Sequence, residues 1–152
     1  MKAVTFHEHG GPEKLIYEEV PLPQVGPEEI LVRVKACALN HLDIWLRQGI
    51  PGYKIALPHI SGCDMSGVIE KVGAAYSGHL KLGQSVFVMP GMSCGNCDEC
   101  LEGNDNWCPN YQIFGAQRNG GYAEYVSVPA INVFPLPENL TFEQGAAFPV
   151  VS

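Results

Sequence analysis

The sequence has no apolar run approaching the ~18 residues that a helical membrane crossing needs. Its first residues, Met1-Lys2-Ala3-Val4-Thr5-Phe6-His7-Glu8, lack the charged-then-apolar layout of a secretory signal. Basic residues are few: nine Lys and Arg against sixteen Asp and Glu give a net charge of −7. Nothing cationic is concentrated enough to hold a phosphate backbone, so nucleic acid is excluded as a partner, as is a membrane. Internal repeats and low-complexity segments are also missing. No His follows His79. These absences leave a protein expected in the cytoplasm, where thiols stay reduced.

What remains is ordinary for one globular domain. Of the 152 residues, 46% are hydrophobic and 16% charged, enough for a sizeable core. The 17 Gly and 12 Pro are spread along the chain, which suggests many turns between short strands. Strands are predicted at Lys2 to Phe6, Leu15 to Val20, Glu29 to Ala38, Met65 to Gly73, Ser85 to Met89, Gly121 to Val128 and Asn132 to Leu136. In the clearest one, Ile30, Val32, Val34 and Ala36 share a face at period two. Pro21 and Pro23 end the second strand, because proline cannot donate to a ladder. Asn40 to Gln48 reads as a short helix stopped at Gly49, with Leu42, Trp45 and Leu46 at helical spacing. A further helix starts at Thr141, a candidate cap. Short strands with turn signals about every ten residues predict a mainly β barrel or sandwich. The chain stops at Ser152 as an apolar segment begins, which points to a truncated or excised piece.

Six Cys in a reducing compartment suggest metal before disulfides. Cys94, Cys97, Cys100 and Cys108 form a Cys-x2-Cys-x2-Cys-x7-Cys array. Two residues between Cys let a tight turn bring both sulfurs to one ion, and zinc takes four thiolates tetrahedrally. Unrelated thiols, two disulfides or an iron–sulfur cluster are the competing readings, the last with its fourth Cys too distant. Four thiolates leave no open coordination position, so such a zinc is structural and its binding energy is folding energy. Gly91-Met92-Ser93-Cys94-Gly95 also matches the Gly-x-Ser-x-Gly elbow of hydrolases. A metal ligand inside it and the lack of a later His reject that reading. A second metal set, Cys37 and His41 with His59 and Cys63, exists on spacing alone. It competes with buried thiols and loop histidines.

The cysteine lobe resembles that of the medium-chain dehydrogenase/reductase superfamily. So do Asn40-His41-Leu42-Asp43 with Arg47-Gln48-Gly49, Pro58 to Asp64 running into Gly67-Val68, Lys81 to Val86, and Gly120-Gly121-Tyr122-Ala123-Glu124-Tyr125. The resemblance runs from Met1 to Ser152 in order. It implies a GroES-like, partly open β-barrel with a few short helices over residues 1–152, a structural-zinc lobe at about 91–112, and a following Rossmann domain that binds NAD or NADP. No Gly-x-Gly-x-x-Gly occurs in this chain, so the piece alone should hold a nicotinamide cofactor poorly and be inactive.

The resemblance also implies roles. Zinc-dependent members carry a catalytic zinc on a Cys and on the His of a Gly-His-Glu motif. Asn40 stands at that Cys position, Cys63 at that His position and Asp64 at the Glu position. An amide is a poor zinc ligand beside thiolate and imidazole. The pattern resembles the zinc-independent quinone-reductase branch. Asp43 matches a carboxylate that buttresses the ligands, and without metal it orients Asn40 or His41 or caps the turn. His41 matches a residue that contacts the cofactor pyrophosphate, or is an exposed helix-start His. Trp45 stands at a proton-relay position, where an indole cannot relay protons.

The expected function of the whole enzyme is hydride transfer between a nicotinamide cofactor and an alcohol or carbonyl, a quinone or an activated alkene, without a catalytic zinc. A zinc-dependent alcohol dehydrogenase with altered ligands and a non-catalytic zinc-binding fragment are the alternatives. The implied partners are a small-molecule substrate, the Rossmann domain and a second copy in a homo-oligomer.

Overall fold

The computed structural model describes residues 1–151; Ser152, the last residue of the expected domain, lies outside the described residues. The elements in order are β1 Lys2–Thr5, β2 Ile16–Glu19, β3 Glu29–Cys37, α1 His41–Gln48, β4 Met65–Val72, β5 Ser85–Val88, β6 Gly91–Met92, α2 Asp98–Leu101, β7 Gln112–Ile113, β8 Tyr125–Pro129, β9 Val133–Pro135 and α3 Phe142–Ala147. Single 3₁₀ turns fall at Pro12–Lys14, Asp105–Trp107, Ala130–Asn132 and Pro149–Val151. Among the described residues no helix is long and apolar enough to cross a membrane.

Five strands make one antiparallel sheet in the order β8-β3-β4-β5-β9. β8 and β9 are its two edges, so the sheet stays open rather than closing on itself. The β1–β2 pair extends it loosely. The Val4 N–H donates to the Tyr122 carbonyl at 2.8 Å, and the Glu124 N–H donates to the Lys2 carbonyl at 3.0 Å. The partly open, mainly β architecture expected from the sequence is present.

Alternation explains the core. Ile30 and Val32 of β3, Met65 and Ile69 of β4, Val86 and Val88 of β5, and Val126 and Val128 of β8 point inward around Phe114. Strict period two does not persist in β3. Its register against β4 shifts between Leu31 and Val32 and again between Val34 and Ala36. Bulges of this kind bend a strand and re-aim its side chains, and here Leu31 is buried as well while Ala36 is only half-buried. The bend delivers the end of β3 to the turn that starts α1.

Two elements differ from the sequence expectation. The strand expected from Gly121 begins only at Tyr125. Before it, the Gly121 N–H donates to the Gly62 carbonyl at 2.7 Å and the Tyr122 N–H to the Ser61 carbonyl at 3.1 Å. That stretch is spent on a loop, not on the main sheet. In α1, Asp43, Leu46 and Arg47 are buried while Trp45 is 54% exposed. Arg47 is drawn in because its guanidinium donates to the Gly10 carbonyl at 2.6 Å.

Candidate functional site

The start of α1 and the loop before β4 meet at one carboxylate. Asn40 is the N-cap, with extended backbone at φ −126 and ψ 155. Its N–H donates to Asp43 Oδ2 at 2.7 Å, an N-terminal carboxylate contact that suits the positive end of a helix. The same carboxylate reaches further. Asp43 Oδ1 accepts from the Gly62 N–H at 3.0 Å, and Oδ2 accepts from the Tyr122 hydroxyl at 2.7 Å. Asp43 therefore ties α1 to the Gly62-Cys63-Asp64 loop and to the segment before β8. Gly62 has φ +96, a conformation that favours glycine, and an added Cβ would stand 2.8 Å from both Cys37 Sγ and Tyr122 Cδ1.

With the loop held there, the Asn40 amide donates to Cys63 Sγ at 3.3 Å and to Asp64 Oδ2 at 3.0 Å. Three of the sequence-derived catalytic candidates thus form one bonded group, with Asp43 behind it. Burial pushes the Cys63 thiol up to about 12, and the neighbouring Asp64 and Asp43 carboxylates add to this, so the thiol is neutral. Burial also raises Asp64, outweighing the Asn40 hydrogen bond. Tyr122 and Cys37 are pushed well up for the same reason, which leaves the phenol a pure donor toward Asp43.

Asn40 and Cys63 open onto a cleft of about 710 Å³. His41, Leu42 and Trp45 form its α1 side, the His41 and Trp45 rings lying 5.6 Å apart. The rest of the lining comes from the cysteine lobe, with Met89, Pro90, Pro149 and Val150. Another groove, of about 510 Å³ beneath residues 20–24, gathers none of the expected residues.

The four lobe thiols converge. Their sulfurs all lie within 4.8 Å of one another, with Cys94 to Cys100 at 3.9 Å and Cys97 to Cys100 at 3.4 Å. A tetrahedron with Zn–S near ~2.3 Å needs sulfurs ~3.8 Å apart, so the donor set fits zinc in number, type and spacing. The backbone N–H groups of Asn96 and Cys97 draw the Cys94 thiol down to about 6. The Cys100 backbone N–H also favours the Cys97 thiolate, but burial and the three crowding thiols hold Cys97 up near 12. All six cysteines are free of disulfides.

The rival set of Cys37, His41, His59 and Cys63 does not gather; among the described residues the four lobe cysteines are the one cluster of metal-binding type. His59 is buried with Nε2 2.9 Å from the Gly115 carbonyl and its ring edge-on to Phe6. Reading the sequence missed Tyr122 as a support of Asp43 and the lobe as a cleft wall. The Gly-Gly-Tyr stretch is the one signal that could have pointed to the first.

Comparison with known proteins bears on this arrangement. The chain matches the family described as alcohol dehydrogenase GroES-like domain over residues 26–138. It is 40% identical over 148 residues to an alcohol dehydrogenase of Geobacillus stearothermophilus, covering 96% of this chain and 43% of the relative. It is 34% identical over 132 residues to an L-threonine 3-dehydrogenase of Bacillus subtilis, covering 82% and 36%. The crystal structure of an NAD-dependent alcohol dehydrogenase superposes with a TM-score of 0.94 at 50% identity, covering 98% of this chain and 43% of that one. The chain spans about two fifths of the length of such relatives. It belongs to the alcohol dehydrogenase GroES-like domain family.

Proposed function

We propose that this chain is the substrate-side domain of an NAD(P)-dependent oxidoreductase that moves hydride to or from an alcohol or carbonyl, a quinone or an activated alkene, with no catalytic zinc. The observation that carries the reading is the Asn40 amide donating to both Cys63 and Asp64. With an amide at the position of a thiolate ligand, and that amide engaged with both neighbours, the set is a poor match for zinc.

When bound, the nicotinamide cofactor supplies the hydride chemistry; the protein supplies placement and polarity. Asn40 offers a hydrogen bond toward the substrate oxygen or the nicotinamide. His41, exposed at the helix start, suits cofactor phosphates. Cys63 and Trp45 bound the substrate space, and Asp43 is a positioning residue acting through Asn40 and Gly62. Cys94, Cys97, Cys100 and Cys108 hold one structural zinc in a lobe at about residues 91–112. The reading includes a following Rossmann domain, a homo-oligomeric full-length enzyme and a cytoplasmic location.

A second reading, an alcohol dehydrogenase with a metal on Asn40, Cys63 and Asp64, has one observation in its favour. Asp64 Oδ1 is buried without a hydrogen-bond partner. The test is steady-state oxidation of NADH and NADPH by the full-length enzyme with aldehydes and quinones. Turnover should fall tenfold or more in Asn40→Ala, about one lost transition-state hydrogen bond. The 152-residue chain should show none. Clear turnover by that chain alone, or an Asn40→Ala enzyme of full activity, refutes the proposal.

A further inference from the structure

We infer that the cysteine lobe is the specificity wall of this cleft, where Asp105, Asn106 and Tyr111 select an uncharged substrate over an anionic one and the metal site holds them in place. The inference rests on the function proposed above and extends it to substrate class. Three observations carry it.

The first is placement. Asp105, Asn106 and Tyr111 of the lobe line the same cleft as Asn40 and Cys63. The second is attachment. The Cys108 N–H donates to the Asp105 carbonyl at 3.1 Å, and the Tyr111 N–H donates to the Cys108 carbonyl at 3.0 Å. Both peptide groups of the last cysteine therefore carry a wall residue. Cys108 is fixed in turn by the other thiols and by the Cys94 N–H, 3.4 Å from its sulfur. Beyond it, Ile113 pairs with Gly91 in the β6–β7 ladder, so the wall is clamped at both ends. Losing the metal would release the end at Cys108.

The third is charge. No Lys or Arg is among the lining residues, Asp105 is their one acidic residue, and His41 lies on the α1 side. A substrate carboxylate or phosphate placed against the lobe would meet the like charge of Asp105, with no Lys or Arg of this chain in the lining to offset it and His41 away on the α1 side. An uncharged alcohol or carbonyl compound meets only apolar surface and hydrogen-bonding groups. Rejection by an unpaired like charge is a common route to specificity.

The experiment uses the zinc-loaded full-length enzyme and two probes, butan-1-ol and 4-hydroxybutanoate. The wild type should favour the alcohol in kcat/KM. Asp105→Lys should narrow that preference about tenfold, mostly through KM, with zinc content unchanged. A second measurement needs no turnover. Chelation followed by amide hydrogen exchange should raise exchange across residues 105–113. An unchanged preference in zinc-retaining Asp105→Lys, or a stretch 105–113 that stays protected after zinc loss, overturns the inference. If the wild type turns over neither these probes nor the aldehydes and quinones named above with NAD(H) or NADP(H), the oxidoreductase reading fails. Hydrogen exchange then still decides whether the metal site holds the wall.

Discussion

Replacing Asp43 by Ala removes one side chain and orphans three donors. The Asn40 N–H, the Gly62 N–H and the Tyr122 hydroxyl all end on this carboxylate, at 2.7, 3.0 and 2.7 Å. Asp43 is only 9% exposed, so water replaces it poorly. Each orphaned buried donor costs about 1–1.5 kcal/mol at the low end of the usual range, which sums to about 3–5 kcal/mol. Against a total stability of about 5–15 kcal/mol this is a severe loss. With a urea m-value near ~2 kcal/mol/M, the unfolding midpoint should fall by about 1.5–2.5 M with m unchanged. Tyr122→Phe removes one donor and leaves the other two bonds, so its midpoint should fall by only about 0.5 M. Urea titrations followed by circular dichroism measure both. A shift below about 0.5 M for Asp43→Ala, or equal shifts for the two variants, would refute the argument that this carboxylate staples α1 to the Gly62 loop.

Three further outcomes follow from the same geometry. Gly62→Ala should destabilise by about 2–4 kcal/mol, since its φ of +96 disfavours a side chain and the Cβ would press on Cys37 and Tyr122; thermal unfolding reads this. Burial lowers the His59 pKa, helped by His9 and opposed by the Gly115 hydrogen bond, so the unfolded chain binds more protons. Stability should fall as pH drops through about 6.5, by up to ~1.4 kcal/mol per pH unit, and His59→Gln should flatten that slope in urea titrations at stepped pH. Cys63, with its thiol pushed up to about 12, should resist iodoacetamide at pH 7.5 in the native enzyme, as mass spectrometry of labelled peptides would show; rapid labelling contradicts its buried, neutral state.

Much of this was readable from the chain itself, for physical reasons that differ by element. β4 is legible as an apolar stretch closed by a turn at Gly73, and β5 as a short apolar run. The start and stop of α1 are legible from Asn40 and Gly49, but its buried face is not. Arg47 and Asp43 turn inward to partners distant in sequence, Gly10 and Gly62, and no local pattern records those contacts. The late start of β8 has the same origin, since Gly121 and Tyr122 bond to the Ser61–Gly62 loop. The cysteine array is legible because its ligands are local. That the lobe folds over Asn40 and Cys63 is a long-range fact, and only the structure supplies it.

In the proposed enzyme Asn40, Cys63 and Asp64 work without a metal of their own. Elemental analysis of the full-length enzyme measures this directly. One zinc per chain, lost with its fold-stabilising effect in Cys108→Ser, is the predicted result. Two zinc ions per chain, the second removed by Cys63→Ala together with activity, would contradict it.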